Sequence, residues 1–121
     1  MGALLPLSGS LGGPAEQRLT AARVATSVIN ELNDGYGNDW YVDLLIEDTQ
    51  TDPDVALEKL KKMDRLGVKM VVGPSSSASA AAVREYAHQN DIVLLSPSTS
   101  HALSIPGDLS LIHISEPTRP Y

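Results

Sequence analysis

The stretch Val68-Lys69-Met70-Val71-Val72-Gly73-Pro74-Ser75-Ser76-Ser77-Ala78-Ser79 decides how the rest of the chain is read. Val68 to Val72 is a short apolar run that reads as a buried strand. Gly73-Pro74 breaks it, a serine cluster follows, and Ala80-Ala81-Ala82-Val83 begins a helical pattern. A strand that stops at Gly-Pro and turns into a serine-capped helix brings backbone N–H groups and hydroxyls to one spot. Helix N-termini carry partial positive charge, so that spot suits a carboxylate or another anion. The plainer alternative is that Ser76 or Ser77 only caps its own helix.

Outward from this stretch the same alternation repeats. Ala3 to Leu7 reads as a first strand, followed by the loop Ser8-Gly9-Ser10-Leu11-Gly12-Gly13-Pro14. From Pro14 to about Leu32, the residues Ala21, Val24, Ala25, Val28 and Leu32 recur at helical spacing and form one face of a helix. The turn formers Asn33-Asp34-Gly35-Tyr36-Gly37-Asn38 end it. Tyr41 to Ile46 is the second strand, closing in Glu47-Asp48. Asp52-Pro53 is a strong helix start, with an acid at the N-cap and proline in the first helical position. That helix buries Ala56, Leu60 and Met63, runs to about Leu66 and stops at Gly67. After the serine turn, the third helix runs to about Gln89, and Ile92 to Leu95 is the fourth strand. The order β-α-β-α-β-α-β, with short apolar strands, predicts an α/β fold. It is a three-layer Rossmann-like parallel sheet with helices on both faces and right-handed crossovers.

Composition narrows the function. A chain of 121 residues is one domain at most, and 42% hydrophobic residues make it globular. There are no cysteines, which excludes disulfides and thiolate metal sites. The formal charge is −6, and the cluster Lys59-Leu60-Lys61-Lys62 sits late on a predicted helix, where cations favour the dipole. Nucleic acid is therefore not an expected partner. No signal-peptide pattern and no stretch of membrane-spanning length occurs. Residues 109–121, from Leu109-Ser110-Leu111-Ile112-His113-Ile114 through Glu116-Pro117-Thr118-Arg119, resemble the translation of a transposase-type sequencing adapter. They are expected to be a non-native tail, leaving 1–108 as the native stretch of a domain cut off part-way; the alternative is a genuine short strand with a Pro-rich tail.

In an open parallel sheet, ligands bind beyond the carboxyl ends of the strands. The four loops there carry ten hydroxyl residues: Ser8, Ser10, Thr49, Thr51, Ser75, Ser76, Ser77, Ser98, Thr99 and Ser100. None of the four carries lysine or arginine. Such a rim suits a small neutral or zwitterionic solute, although serine and threonine are also ordinary turn residues. The glycine-rich first loop does not spell G-x-G-x-x-G, and Asp48 lies too far beyond Gly13 for a dinucleotide fingerprint. No G-x-S-x-G elbow is present. Asp48, Asp52 and Asp54 lack the spacing of a calcium loop, and capping of the second helix accounts for the last two. His88 reads as a solvated helix residue and His101 as a rim residue, not a base. No metal, cofactor or catalysis is expected.

Four of these motifs together resemble the type I periplasmic binding proteins, closest to the leucine/isoleucine/valine-binding receptors of ABC transporters. They are Gly2-Ala3-Leu4-Leu5-Pro6-Leu7-Ser8-Gly9, Glu47-Asp48-Thr49-Gln50-Thr51-Asp52-Pro53 with Ala56, Val71-Val72-Gly73-Pro74 with Ser77, and Leu95-Ser96-Pro97-Ser98-Thr99-Ser100. The match covers residues 2–107. It implies an extracytoplasmic, two-lobed receptor that closes on its solute and presents it to a membrane permease, with this chain forming most of the first lobe. It also implies that Ser77 and Ser100 hold the α-carboxylate and α-ammonium of an amino acid, and that Ser98 offers a backbone carbonyl. The expected binding set is Ser10, Ser75, Ser76, Ser77, Ser98, Thr99 and Ser100. In place of the aromatic that several amino-acid binders carry in the first loop, this chain has Gly12-Gly13-Pro14. Two other readings of the fold are a Rossmann-like nucleotide-binding enzyme domain and a ligand-sensing module of a signalling receptor.

Overall fold

The computed structural model describes residues 1–98, 100, 103 and 111–113. Its elements run β1 (Gly2–Leu5), α1 (Ala15–Gly35), β2 (Leu45–Asp48), α2 (Pro53–Arg65), β3 (Met70–Val72), α3 (Ser77–Gln89), β4 (Val93–Ser96) and β5 (Leu111–His113). All pairings are parallel, in the order β2-β1-β3-β4-β5. The first crossover moves one way along the sheet and the next two move the other. Right-handed connections therefore put α1 on one face and α2 with α3 on the other. The predicted three-layer α/β architecture is the observed one. Of the expected tail, Leu111–His113 pairs with β4 as an edge strand.

Local chemistry sets where each element begins and ends. β1 stops at Leu5 because Pro6 has no N–H to give the ladder. The predicted second strand slides from 41–46 to Leu45–Asp48 because a side chain replaces its partner strand at Val42. Asn30 Nδ2 donates to the Val42 carbonyl at 2.9 Å, and the Val42 N–H donates to Asn30 Oδ1 at 2.6 Å. β3 starts at Met70, later than its apolar run, because Val68 N–H donates to the Met63 carbonyl and belongs to the end of α2. Asp52 caps α2 as predicted, accepting from the Asp54 and Val55 N–H groups.

The core lies between the sheet and the pair α2 and α3. Val71, Leu94 and Leu111 are aligned across three strands and buried. Leu60 and Met63 of α2, Val83 of α3 and Leu4 of β1 pack with them. Each large apolar side chain so buried contributes about 1.5–3 kcal/mol relative to exposure.

The other face is built differently. The predicted apolar stripe of α1 points outward, leaving Val24 at 55% and Leu32 at 56% exposure. The side of α1 that is covered carries Leu19, Ala22, Thr26, Asn30 and Asn33. Amides do much of the docking there: besides the Asn30 clamp, Asn33 Nδ2 donates to the Trp40 carbonyl at 2.9 Å. On the same face of the sheet Met70 is 56% and Ile112 49% exposed.

Candidate functional site

The parallel register brings the carboxyl ends of four strands to one edge, with Leu5 opposite Asp48, and Val72 opposite Leu95. At its centre stands Gly73, with φ 100. Its N–H donates to the Leu95 carbonyl at 2.8 Å, and a Cβ on it would lie 2.1 Å from the Leu4 carbonyl oxygen. Only glycine fits where three strand tips come this close.

Beyond Gly73 the chain turns into α3. Ser76 is the N-cap, its Oγ accepting the Ser79 N–H at 3.2 Å. Its carbonyl accepts the Ala80 N–H at 2.9 Å. The plainer reading of the serine cluster thus holds for Ser76. Helix geometry leaves the N–H groups of Ser77 and Ala78 without an intrahelical acceptor. Ser75 and Ser77 are half-buried, and their hydroxyls make no hydrogen bond among the described residues.

The fourth loop divides into inward and outward parts. Ser96 Oγ donates to the Pro74 carbonyl at 2.6 Å, accepts the Ser98 N–H and lies 2.9 Å from Ser98 Oγ. The Ser98 side chain, 2% exposed, is therefore an internal tie between the third and fourth loops. As a hydroxyl facing a solute, Ser98 is corrected by its burial; the backbone role implied for it is unaffected. Ser100 is half-buried, with its carbonyl accepting the Leu103 N–H. Thr99 and His101 lie outside the described residues.

The first two loops interlock. Thr49 is 1% exposed and so faces inward, a second correction to the hydroxyl rim. Thr51 Oγ1 donates to the Ser8 carbonyl at 2.9 Å and accepts the Leu11 N–H at 3.1 Å. Ser8 Oγ donates to Asp48 Oδ2 at 2.6 Å. Ser10 remains exposed at the tip of the first loop. Burial pushes the Asp48 carboxyl up, but the Ser8 hydroxyl and the N–H groups of Gln50, Leu7 and Ser8 outweigh it and hold the group below the usual carboxylate range.

Two contributors escaped the sequence reading. The four loops contain no lysine or arginine, yet Arg18 folds back from α1, its Nη1 donating to the Pro6 carbonyl at 2.8 Å and to the Leu11 carbonyl. Read from the sequence, Asp48 is a candidate only for a nucleotide or a cation. The signal that could have found it is its own turn: its carboxylate takes the Gln50 N–H two residues on, the habit of aspartate at a loop start.

Among the described residues, no group of three or more His, Cys, Asp or Glu is placed to hold a metal ion. A groove of about 510 Å³ opens between α1 and residues 42–46, lined by Arg23, Asn30 and Asp43 among others; no rim serine lines it. The rim itself presents the Ser75 and Ser77 hydroxyls and the opening N–H groups of α3.

The sequence model of the periplasmic binding protein family matches residues 1–115. The chain belongs to that family. Among solved structures, this periplasmic binding protein is similar to LivJ, the branched-chain amino acid transporter substrate-binding protein of Streptococcus pneumoniae, crystallised with isoleucine. The identity is 26% and the TM-score 0.80, over 93% of this chain and 32% of that one. The leucine-binding protein LivK of Thermotoga maritima shares the fold at 18% identity and TM-score 0.76, over 91% of this chain and 30% of LivK. An uncharacterized protein of Methanocaldococcus jannaschii is 29% identical over 100 residues, 83% of this chain and 24% of that protein. The chain thus spans about a quarter of that relative and about a third of the two solved proteins. Among the described residues, no helix is long and apolar enough to cross a membrane.

Proposed function

We propose that this chain is the larger part of the first lobe of an extracytoplasmic solute receptor serving an ABC transporter. It binds and does not catalyse. Its solute is small and zwitterionic, an amino acid of the branched-chain type or an amide, and its further partner is the membrane permease. The observation that carries this reading is the opening of α3, where the Ser77 hydroxyl and the N–H groups of Ser77 and Ala78 are free to receive a carboxylate. The likeness to LivJ, a protein crystallised with isoleucine, supports the same class of solute.

In this mechanism Ser77 and the start of α3 take the solute's carboxylate. The main chain of Ser98 and the hydroxyl of Ser100 take its ammonium. Ser75 and Ser76 shape the turn, and Ser10 edges the pocket from the first loop. A second lobe then closes over the solute and removes both charged ends from water. The test is calorimetric titration of the two-lobed receptor that carries this lobe with isoleucine, leucine, valine and small amides. Ser77→Ala is expected to weaken binding by about 1–3 kcal/mol, the worth of a hydrogen bond to a charged group. Unchanged affinity removes Ser77 from the site; absence of any amino-acid or amide binding defeats the reading.

A further inference from the structure

The first rim loop leaves β1 at Pro6 and carries Ser8 through Leu11 along the edge of the proposed cleft. Loops of this length ordinarily move, yet here the second loop forms a mould for the first. The Asp48 carboxylate is the centre of that mould. Oδ1 accepts the N–H groups of Leu7 at 2.9 Å, Ser8 at 3.2 Å and Gln50 at 2.8 Å, and Oδ2 accepts the Ser8 hydroxyl at 2.6 Å. A carboxylate has about four acceptor sites, so these donors use its capacity from within the protein. Around it, Thr51 holds both ends of the loop through Ser8 and Leu11. Gly9, with φ 78, lies so close to the Gln50 carbonyl that a Cβ there would come within 2.1 Å of its oxygen. Gln50 and Thr51, with φ 55 and 57, are themselves left-handed, and the Asp48–Gln50 turn is the local bond that supports them.

We propose that Asp48 is a positioning residue for the binding site: it sets the shape of the first loop, and through it the wall that Ser10 and Leu11 present, without touching the solute. The proposal rests on the receptor reading for its effect on binding, and on the structure of this lobe for its effect on the loop. Its two halves are therefore measured separately.

In the 121-residue chain, hydrogen exchange of the Leu7, Ser8 and Gln50 amides is compared between wild type and Asp48→Ala, with Val71 and Leu94 as core references. The loop amides are expected to exchange about tenfold faster or more, and the references to keep their rates. In the two-lobed receptor, titration with isoleucine is expected to show affinity reduced about tenfold or more by Asp48→Ala. Asp48→Asn, which keeps one oxygen for the three N–H groups, is expected to recover most of that loss. Ser8→Ala removes a single contact and gives a smaller change in the same amides, which keeps the comparison open if Asp48→Ala does not fold. Unchanged loop exchange overturns the proposal. Faster exchange with unchanged affinity overturns it too, because Asp48 then braces the loop without shaping the site. If the wild-type receptor binds no solute, the receptor reading fails, and loop exchange still decides whether Asp48 sets the loop.

Discussion

Replacing Gly73 by alanine tests how the rim is assembled. Gly73 has φ 100, and a Cβ there would meet the Leu4 carbonyl oxygen at 2.1 Å and its carbon at 3.1 Å. These are backbone atoms of β1, with no flexible side-chain end to swing aside. Two costs add. Holding an L-residue in the left-handed region costs about 1–2 kcal/mol, and forcing packed backbone apart costs about 1–3 kcal/mol. The sum, about 2–5 kcal/mol, is a large share of the roughly 5–15 kcal/mol that stabilises a typical domain. A chain of this size loses roughly 3–5 °C of melting temperature per kcal/mol, so Gly73→Ala is expected to melt about 6–25 °C lower. Circular dichroism during heating reads this directly. Gly13→Ala is the control, because no atom lies within 4 Å of a Cβ there and its φ is not positive. It is expected to match the wild type or exceed it slightly, since alanine restricts the unfolded chain. A Gly73→Ala chain melting within about 2 °C of wild type would refute the close meeting of three strand tips.

Leu60, fully buried on α2, and Leu32, more than half exposed on α1, are both leucines at helical spacing, but their environments separate them. Leu60→Ala is expected to cost about 2–5 kcal/mol in denaturant unfolding and Leu32→Ser less than about 0.5 kcal/mol; equal costs would show that α1 buries its stripe. Acid is expected to destabilise the chain through Glu47. The Lys62 ammonium and then Lys59 hold its carboxyl below the usual range against the opposing effect of burial. A folded pKa below the unfolded one gives stability that is complete above the unfolded value, about 4.3, and is lost as pH falls through the folded one. Glu47→Gln should therefore flatten the fall of the denaturant midpoint below about pH 4; an unchanged fall would mean that the bridges add no stability.

Most of the fold was legible because its signals are local and redundant. The Asp52-Pro53 start, the Gly67 stop and the Gly73-Pro74 break each have one cheap conformational reading, and the chain adopts it. Strand boundaries were less legible, because a strand needs a partner and the sequence does not say who supplies it. Tyr41 to Leu44 has the composition of a strand, yet the Asn30 amide takes both backbone groups of Val42. The outward stripe of α1 has the same origin. Periodicity marks an apolar face but not which way it turns, and on this helix asparagine bonds to residues 40–42 fix the orientation.

The rim shows why counting hydroxyls was too generous, and why the smaller set left after correction is the stronger one. A hydroxyl both donates and accepts, so serine serves equally as an internal tie or as a solute contact, and composition cannot separate the two. Ser96, Ser98, Thr51 and Ser8 proved to be ties; Ser75 and Ser77 proved to have no partner among the described residues. The ties join the first loop to the second and the third to the fourth, so the opening of α3 is held on one side by Ser96 through Pro74. A binding group fixed before the solute arrives loses little conformational freedom on binding. Of the hydroxyls lost from the count, Ser8, Thr51 and Ser98 help to hold the rest in place, together with Ser96, which was not among the ten; Ser96 should matter to affinity although its own hydroxyl is directed at Pro74.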